Sequence, residues 1–256
     1  MRLLVSVRHP AEVAPALRGG ADIIDAKEPE RGALGAVDPE RLRQIDAQVP
    51  DSVSLSVALG DFASPDEVFS VIAGLPLKPR QAPVYLKLAP SRARLDLPTI
   101  LASAIRAAAR HPAAPWIIAV EYADRSTGPR SSEELRAAAA LTGTYGLLVD
   151  TSVKNGRTLL DWWPEFRLVA WLNEARAAGL LVAVAGGLGV REVERAAVLG
   201  SDVIGVRGAA CVGGRSGSVD AGRVGVLRRV IDGRPGVAPR TATLPAGVPG
   251  RSSILK

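Results

Sequence analysis

A (β/α)8 TIM barrel is the fold class that the sequence predicts, and three observations predict it. Eight short apolar or β-branched runs alternate with stretches rich in Ala, Leu, Arg and Glu over about 230 of the 256 residues. The runs are apolar on both faces, as strands of a parallel sheet covered by helices must be. Polar residues collect where the runs end, which is where this fold carries its chemistry.

The runs, in order, are LLVSV (3–7), DIIDA (22–26), SLSVAL (54–59), VYLKL (84–88), WIIAVE (116–121), GLLVD (146–150), LLVAVA (180–185) and DVIGV (202–206). Between them, stretches such as DLPTILASAIRAAARH and SSEELRAAAALTG have helical composition and open on Asp, Ser or Pro, residues that start helices. A doubly wound open sheet is the alternative arrangement of the same alternation. Residues 1–232 are expected to form one barrel domain, and the Pro- and Gly-rich 233–256 a flexible tail.

The net charge of +6 does not by itself point to nucleic acid. Of the 32 Lys and Arg, four (Arg234, Arg240, Arg251 and Lys256) lie in the tail with no acid, leaving 28 against all 26 acids. An RNA-binding or subunit-clasping tail is the secondary reading, and a homo-oligomer stays open. No apolar run reaches eighteen residues and the first is too short for a signal peptide, so no membrane partner is expected and the reading is cytoplasmic. One cysteine, Cys211, and two histidines, His9 and His111, offer neither a disulfide nor a zinc cluster.

The strand ends carry Arg8, the pair Asp25 and Lys27, Lys87, Glu121, and the pair Asp150 and Lys154. Arginine is the default cation here, with 27 copies against five lysines, yet three of the five lysines sit at these ends. An amine can lose its proton and attack a carbonyl, whereas guanidinium effectively cannot. Lysines crowded in a partly dry mouth depress one another's pKa, which makes a Schiff-base nucleophile plausible chemistry there. Asp25 and Asp150 are read as its proton-handling or ion-pairing partners; Asp25, Glu121 and Asp150 as Mg²⁺ ligands are the competing reading.

Strand seven runs into AGGLGVREVERA and strand eight into VIGVRGAACVGGRSG. Glycine-rich turns after these strands are where a (β/α)8 barrel commonly cradles phosphate on backbone N–H groups. Gly186, Gly187 and Gly208 are the candidate donors, with Arg207 as a charge partner, for a small phosphorylated substrate.

The segments DIIDAKEPERGALGA, VYLKLA, LLVDTSVKNGRTLLDW and GSDVIGVRGAACVGGRSG together resemble the (5-formylfuran-3-yl)methyl phosphate synthase family over roughly residues 3–220. The family is also called 4-(hydroxymethyl)-2-furancarboxaldehyde-phosphate synthase. The resemblance implies a (β/α)8 lyase that condenses two molecules of glyceraldehyde 3-phosphate into a furan aldehyde phosphate, releasing phosphate and water. It implies no cofactor and no metal, and a product that enters methanofuran synthesis. It carries the Schiff-base role onto Lys27 and an accompanying acid onto Asp25, with Lys87, Asp150 and Lys154 completing the site. Another Schiff-base aldolase, a triose-phosphate proton-transfer enzyme and a non-catalytic phosphometabolite- or RNA-binding barrel are the rival readings.

Overall fold

The computed structural model describes residues 1–90, 97–125 and 129–233. The tail anticipated over 233–256 lies outside the described residues but for Gly233. Eight parallel strands close on themselves in chain order: β1 (Arg2–Val7), β2 (Ile23–Ala26), β3 (Ser54–Phe62), β4 (Val84–Pro90), β5 (Trp116–Tyr122), β6 (Gly146–Asp150), β7 (Leu181–Val184) and β8 (Val203–Val206). β8 pairs with β1, Leu4 opposite Gly205, so no edge is left open and the doubly wound alternative does not apply.

The outer layer consists of α1 (Val13–Arg18), α2 (Pro39–Gln48), α3 (Pro65–Ala73), α4 (Leu97–Arg110), α5 (Pro129–Thr142), α6 (Leu159–Trp162), α7 (Glu165–Ala177), α8 (Val190–Leu199) and α9 (Ala221–Asp232). Several start as their sequences demand. The carboxylates of Asp38 and Asp220 accept from the backbone N–H groups of Arg41 and Arg223, and Pro39 occupies a first-turn position where a missing N–H costs nothing. Each such cap is worth about 1 kcal/mol. Among the described residues no helix is long and apolar enough to cross a membrane.

Two cores follow from the alternation of side chains along each strand. Leu3, Val5, Ile24, Leu86, Val149 and Val184 point outward and pack against the helices. Leu4, Ile23, Tyr85, Ile118, Leu148, Ala183 and Val203 point inward and line the barrel. Tyr85, Trp116 and Tyr145 pack ring on ring near the N-terminal end of the barrel, the last two with centroids 4.0 Å apart, and Arg2 donates to the Tyr85 hydroxyl at 2.9 Å. Above this floor the inward positions of β7 and β8 are small, Ala183, Ala185 and Gly205. Where barrels of this kind usually stack branched side chains, these leave a cavity of about 250 Å³ that runs from the floor to the C-terminal mouth.

The same alternation corrects one expectation. Glu121 neighbours the inward Val120 and therefore faces out, where its carboxylate accepts from Ser132 Oγ at 2.5 Å and Trp171 Nε1 at 3.0 Å. It braces β5 against α5 and α7 and is absent from the mouth, so the three-carboxylate Mg²⁺ reading loses a ligand. Among the described residues no three His, Cys, Asp or Glu side chains are grouped as a metal would need.

Candidate active site

Lys27 follows the last residue of β2 and extends the ladder by one bond, its N–H donating to Val7 O at 3.0 Å. That aims its side chain into the barrel on the same face as Asp25 and Ile23. Asp25 does not pair with it. Two residues along a strand separate the groups by about 6.5 Å, and a neighbour across the barrel comes closer. Asp25 Oδ1 meets Lys87 Nζ of β4 at 2.7 Å, over the intervening β3, and Asp25 Oδ2 accepts from Ser6 Oγ at 2.7 Å. Lys27 Nζ lies 3.6 Å from Asp150 Oδ2 at the end of β6. The other oxygen of Asp150 accepts from Lys154 Nζ at 2.8 Å and from the Thr151 N–H at 2.7 Å. Lys154 also donates to Thr151 Oγ1 at 2.9 Å.

The three amines are thus held by two carboxylates, with side-chain exposures of 7% for Lys27, 6% for Lys87, 19% for Lys154 and 2% for Asp150. Burial lowers the Lys27 pKa to about 8; Asp150 opposes the fall, while Lys87 and Lys154 add to it. Burial works against the charged form of Asp150 as well, but Lys154 and Lys27 outweigh it and hold its carboxyl well below the usual range. A poised amine beside a permanent carboxylate is suited to forming an imine and steadying the cation that results.

Lys27, Lys87, Asp150 and Lys154 all line the cavity, as do Gly186, Gly187, Arg207 and Gly208. Asp25 does not: it is fully buried behind Lys87 and Ser6 and reaches a ligand only through them. The turn after β7 needs its glycines twice over. Gly186 and Gly187 have φ of +113° and +67°, and a Cβ on Gly186 would stand 3.1 Å from Thr151 Cγ2. Among the described residues the amide N–H groups of Gly186, Gly187 and Gly208 have no acceptor.

Arg207 lies beside these amides but is spent. Its five N–H donors go to Arg215 O, Ser6 O, Gly217 O and both oxygens of Glu12. It therefore acts as a buried lock rather than as the expected charge partner of phosphate. The cation that the sequence reading passed over is Arg215, in a strap that crosses from β8 towards β2. The strap is a small antiparallel hairpin of β9 (Cys211–Val212) and β10 (Ser218–Val219). Arg215 lines the cavity, and its Nη2 donates to Pro29 O and Gly32 O, both at 2.9 Å. Ser6 and Ser56 were also passed over. Ser56 Oγ is buried without a partner on the cavity wall, opposite Asp25 in the ladder.

Comparison with known proteins adds to this geometry. The sequence profile of the 4-HFC-P synthase family matches residues 3–228. The chain is 32% identical over 235 residues to the (5-formylfuran-3-yl)methyl phosphate synthase of Methanothermobacter thermautotrophicus, covering 91% of this chain and 99% of that one. It is 34% identical to the protein of the same name from Methanopyrus kandleri, covering 82% and 89%. Solved barrels share the fold at lower identity. 3-Hexulose-6-phosphate synthase from Salmonella typhimurium has a TM-score of 0.63 at 20% identity, covering 91% of this chain and 99% of that one. Phosphoribosyl anthranilate isomerase from Thermococcus kodakaraensis has 0.64 at 13%, covering 92% and 99%.

Proposed function

The chain belongs to the 4-HFC-P synthase family, and on that premise we propose that it condenses two molecules of glyceraldehyde 3-phosphate into (5-formylfuran-3-yl)methyl phosphate through an imine on Lys27. Atom balance then requires release of one phosphate and two waters. The observation that carries the reading is the Lys27 amine, buried, shifted to about 8 and 3.6 Å from a carboxylate that stays charged.

The Lys27 amine adds to the aldehyde of one triose, and loss of water leaves a cationic imine that Asp150 stabilises by charge. The imine acidifies the adjacent carbon. Loss of that proton pushes electrons towards the terminal carbon, from which phosphate departs. The product skeleton has an aldehyde three carbons from the ring carbon that bears the phosphomethyl arm. The terminal carbon of the triose that loses phosphate must therefore join the middle carbon of the triose that keeps it. In this scheme phosphate leaves before the carbon–carbon bond forms, and the second triose reacts as the isomer with its carbonyl on the middle carbon. Both steps need groups that carry protons at the cavity wall. Lys87, held by Asp25, and Lys154, held by Asp150, take that work in this reading, which their ion pairs support. The free amides of Gly186, Gly187 and Gly208 suit a phosphate dianion. No metal or cofactor is needed for this sequence of steps.

The test is to incubate the protein with glyceraldehyde 3-phosphate and follow furan absorbance together with released phosphate. Equal rates of furan and phosphate formation are expected. Condensation or isomerisation without phosphate release would instead make it an aldolase or isomerase on the same barrel.

A further inference from the structure

We propose that Arg215 forms a second phosphate-monoester subsite, on the β2 side of the cavity and apart from the Gly186–Gly187 turn after β7. The starting point is an imbalance. Lys27, Lys87, Lys154 and Arg207 each have a carboxylate within ion-pair distance, whereas Arg215 has none among the described residues. The Asp150 and Glu28 carboxylates act on it only from beyond ion-pair distance, and a partly buried guanidinium held so is relieved when an anion arrives. Its Nη2 is committed to Pro29 O and Gly32 O, and this grip fixes the plane of the group. The remaining N–H groups, on Nε and Nη1, have no acceptor among the described residues, and the side chain lines the cavity. A guanidinium fixed in place with spare N–H donors can hold a phosphate oxygen on each of them by a charge-assisted hydrogen bond. Two other arginines on the cavity wall differ: Arg157 is exposed and lies 4.0 Å over the Trp162 ring, and Arg2 sits at the floor on Tyr85.

The placement also suits the chemistry. Pro29 and Gly32 belong to the loop that follows Lys27, so the fork and the Gly186–Gly187 turn approach the cavity from different sides. This part of the argument rests on the proposed condensation, whose two substrates bring two phosphates to one cavity.

The test uses sn-glycerol 3-phosphate, a phosphate monoester with no carbonyl, titrated calorimetrically into the intact chain. Two equivalents are expected for the wild type. Arg215→Met should weaken one of them about tenfold or more and spare the other, and Arg215→Lys should restore part of the loss. Glu30→Gln removes the ion pair between Arg8 and Glu30 beside the same strap and should keep both equivalents, which separates loss of the fork from movement of the strap. A single equivalent in the wild type, two unchanged equivalents in Arg215→Met, or equal loss in Glu30→Gln would overturn the subsite. Failure of the condensation reads differently: no furan from glyceraldehyde 3-phosphate, with two-site binding of the probe intact.

Discussion

Lys27 Nζ stands 3.6 Å from Asp150 Oδ2, and the two side chains are 7% and 2% exposed. The pair controls how much neutral amine the site holds, because Asp150 gives the largest interaction that favours the proton on Lys27. The rate of furan formation at low substrate should rise with pH up to about 8 and then level. Asp150→Asn removes the carboxylate, so the rising limb should move to lower pH even as the maximum rate falls. A limb that stays in place would assign it to another group.

An imine can be reduced and an ion pair cannot. Borohydride added during turnover should fix one triose adduct on the peptide containing DIIDAK. Lys27→Arg keeps the charge but cannot form the imine, so trapping and turnover should both disappear, with a loss of several orders of magnitude. Mass spectrometry of the trapped chain checks this, and an adduct on Lys87 or Lys154 would move the nucleophile.

Lys27 also costs stability. A shift from 10.5 to about 8 means that the folded state disfavours the charged amine by about 3 kcal/mol at neutral pH. Lys27→Met removes that cost, which is already net of the attraction to Asp150, while Asp150 keeps Lys154, so the variant should be more stable at pH 7 by up to about 3 kcal/mol. Between about 8 and 10.5 the unfolded chain binds more protons than the folded one, so the wild type gains stability as pH rises through that window. The advantage of the variant should shrink over the same range in denaturant titrations.

Much of this was legible in the sequence, and the parts that were not have physical reasons. All eight strands were readable because each is a short apolar run between helical stretches. Lys27, Lys87, Asp150 and Lys154 were readable because strand ends in this fold converge on one cavity. Glu121 misled because one step along a strand reverses the face, and position near a strand end does not reveal parity. The exchange of partners, Asp25 of β2 with Lys87 of β4 and Lys27 after β2 with Asp150 of β6, depends on which side chains meet across the barrel, and no local spacing records that. Arg207 and Arg215 stand eight residues apart in one glycine-rich segment. Only the strap, with two residues in each strand, decides that one is locked and the other retains free donors.

The last prediction concerns that lock. Arg207 and Glu12 are 6% and 5% exposed, and Glu12 also accepts from the Arg8 N–H at 2.7 Å. Arg207→Met would strand the Glu12 carboxylate and leave the carbonyls of Ser6, Arg215 and Gly217 without this donor. Breaking a buried pair from one side costs about 3–5 kcal/mol. Arg207→Lys keeps a charge but cannot span acceptors on both sides of the strap, so it should recover only part of the loss. Pairing Arg207→Met with Glu12→Gln should cost less than the two single losses added, since neither change then leaves an unpaired charge. Denaturant unfolding of the wild type and these four variants checks this. Were Arg207 instead a phosphate ligand, Arg207→Met would keep its stability and lose only substrate affinity, and that result would return it to the role its position beside Gly208 suggests.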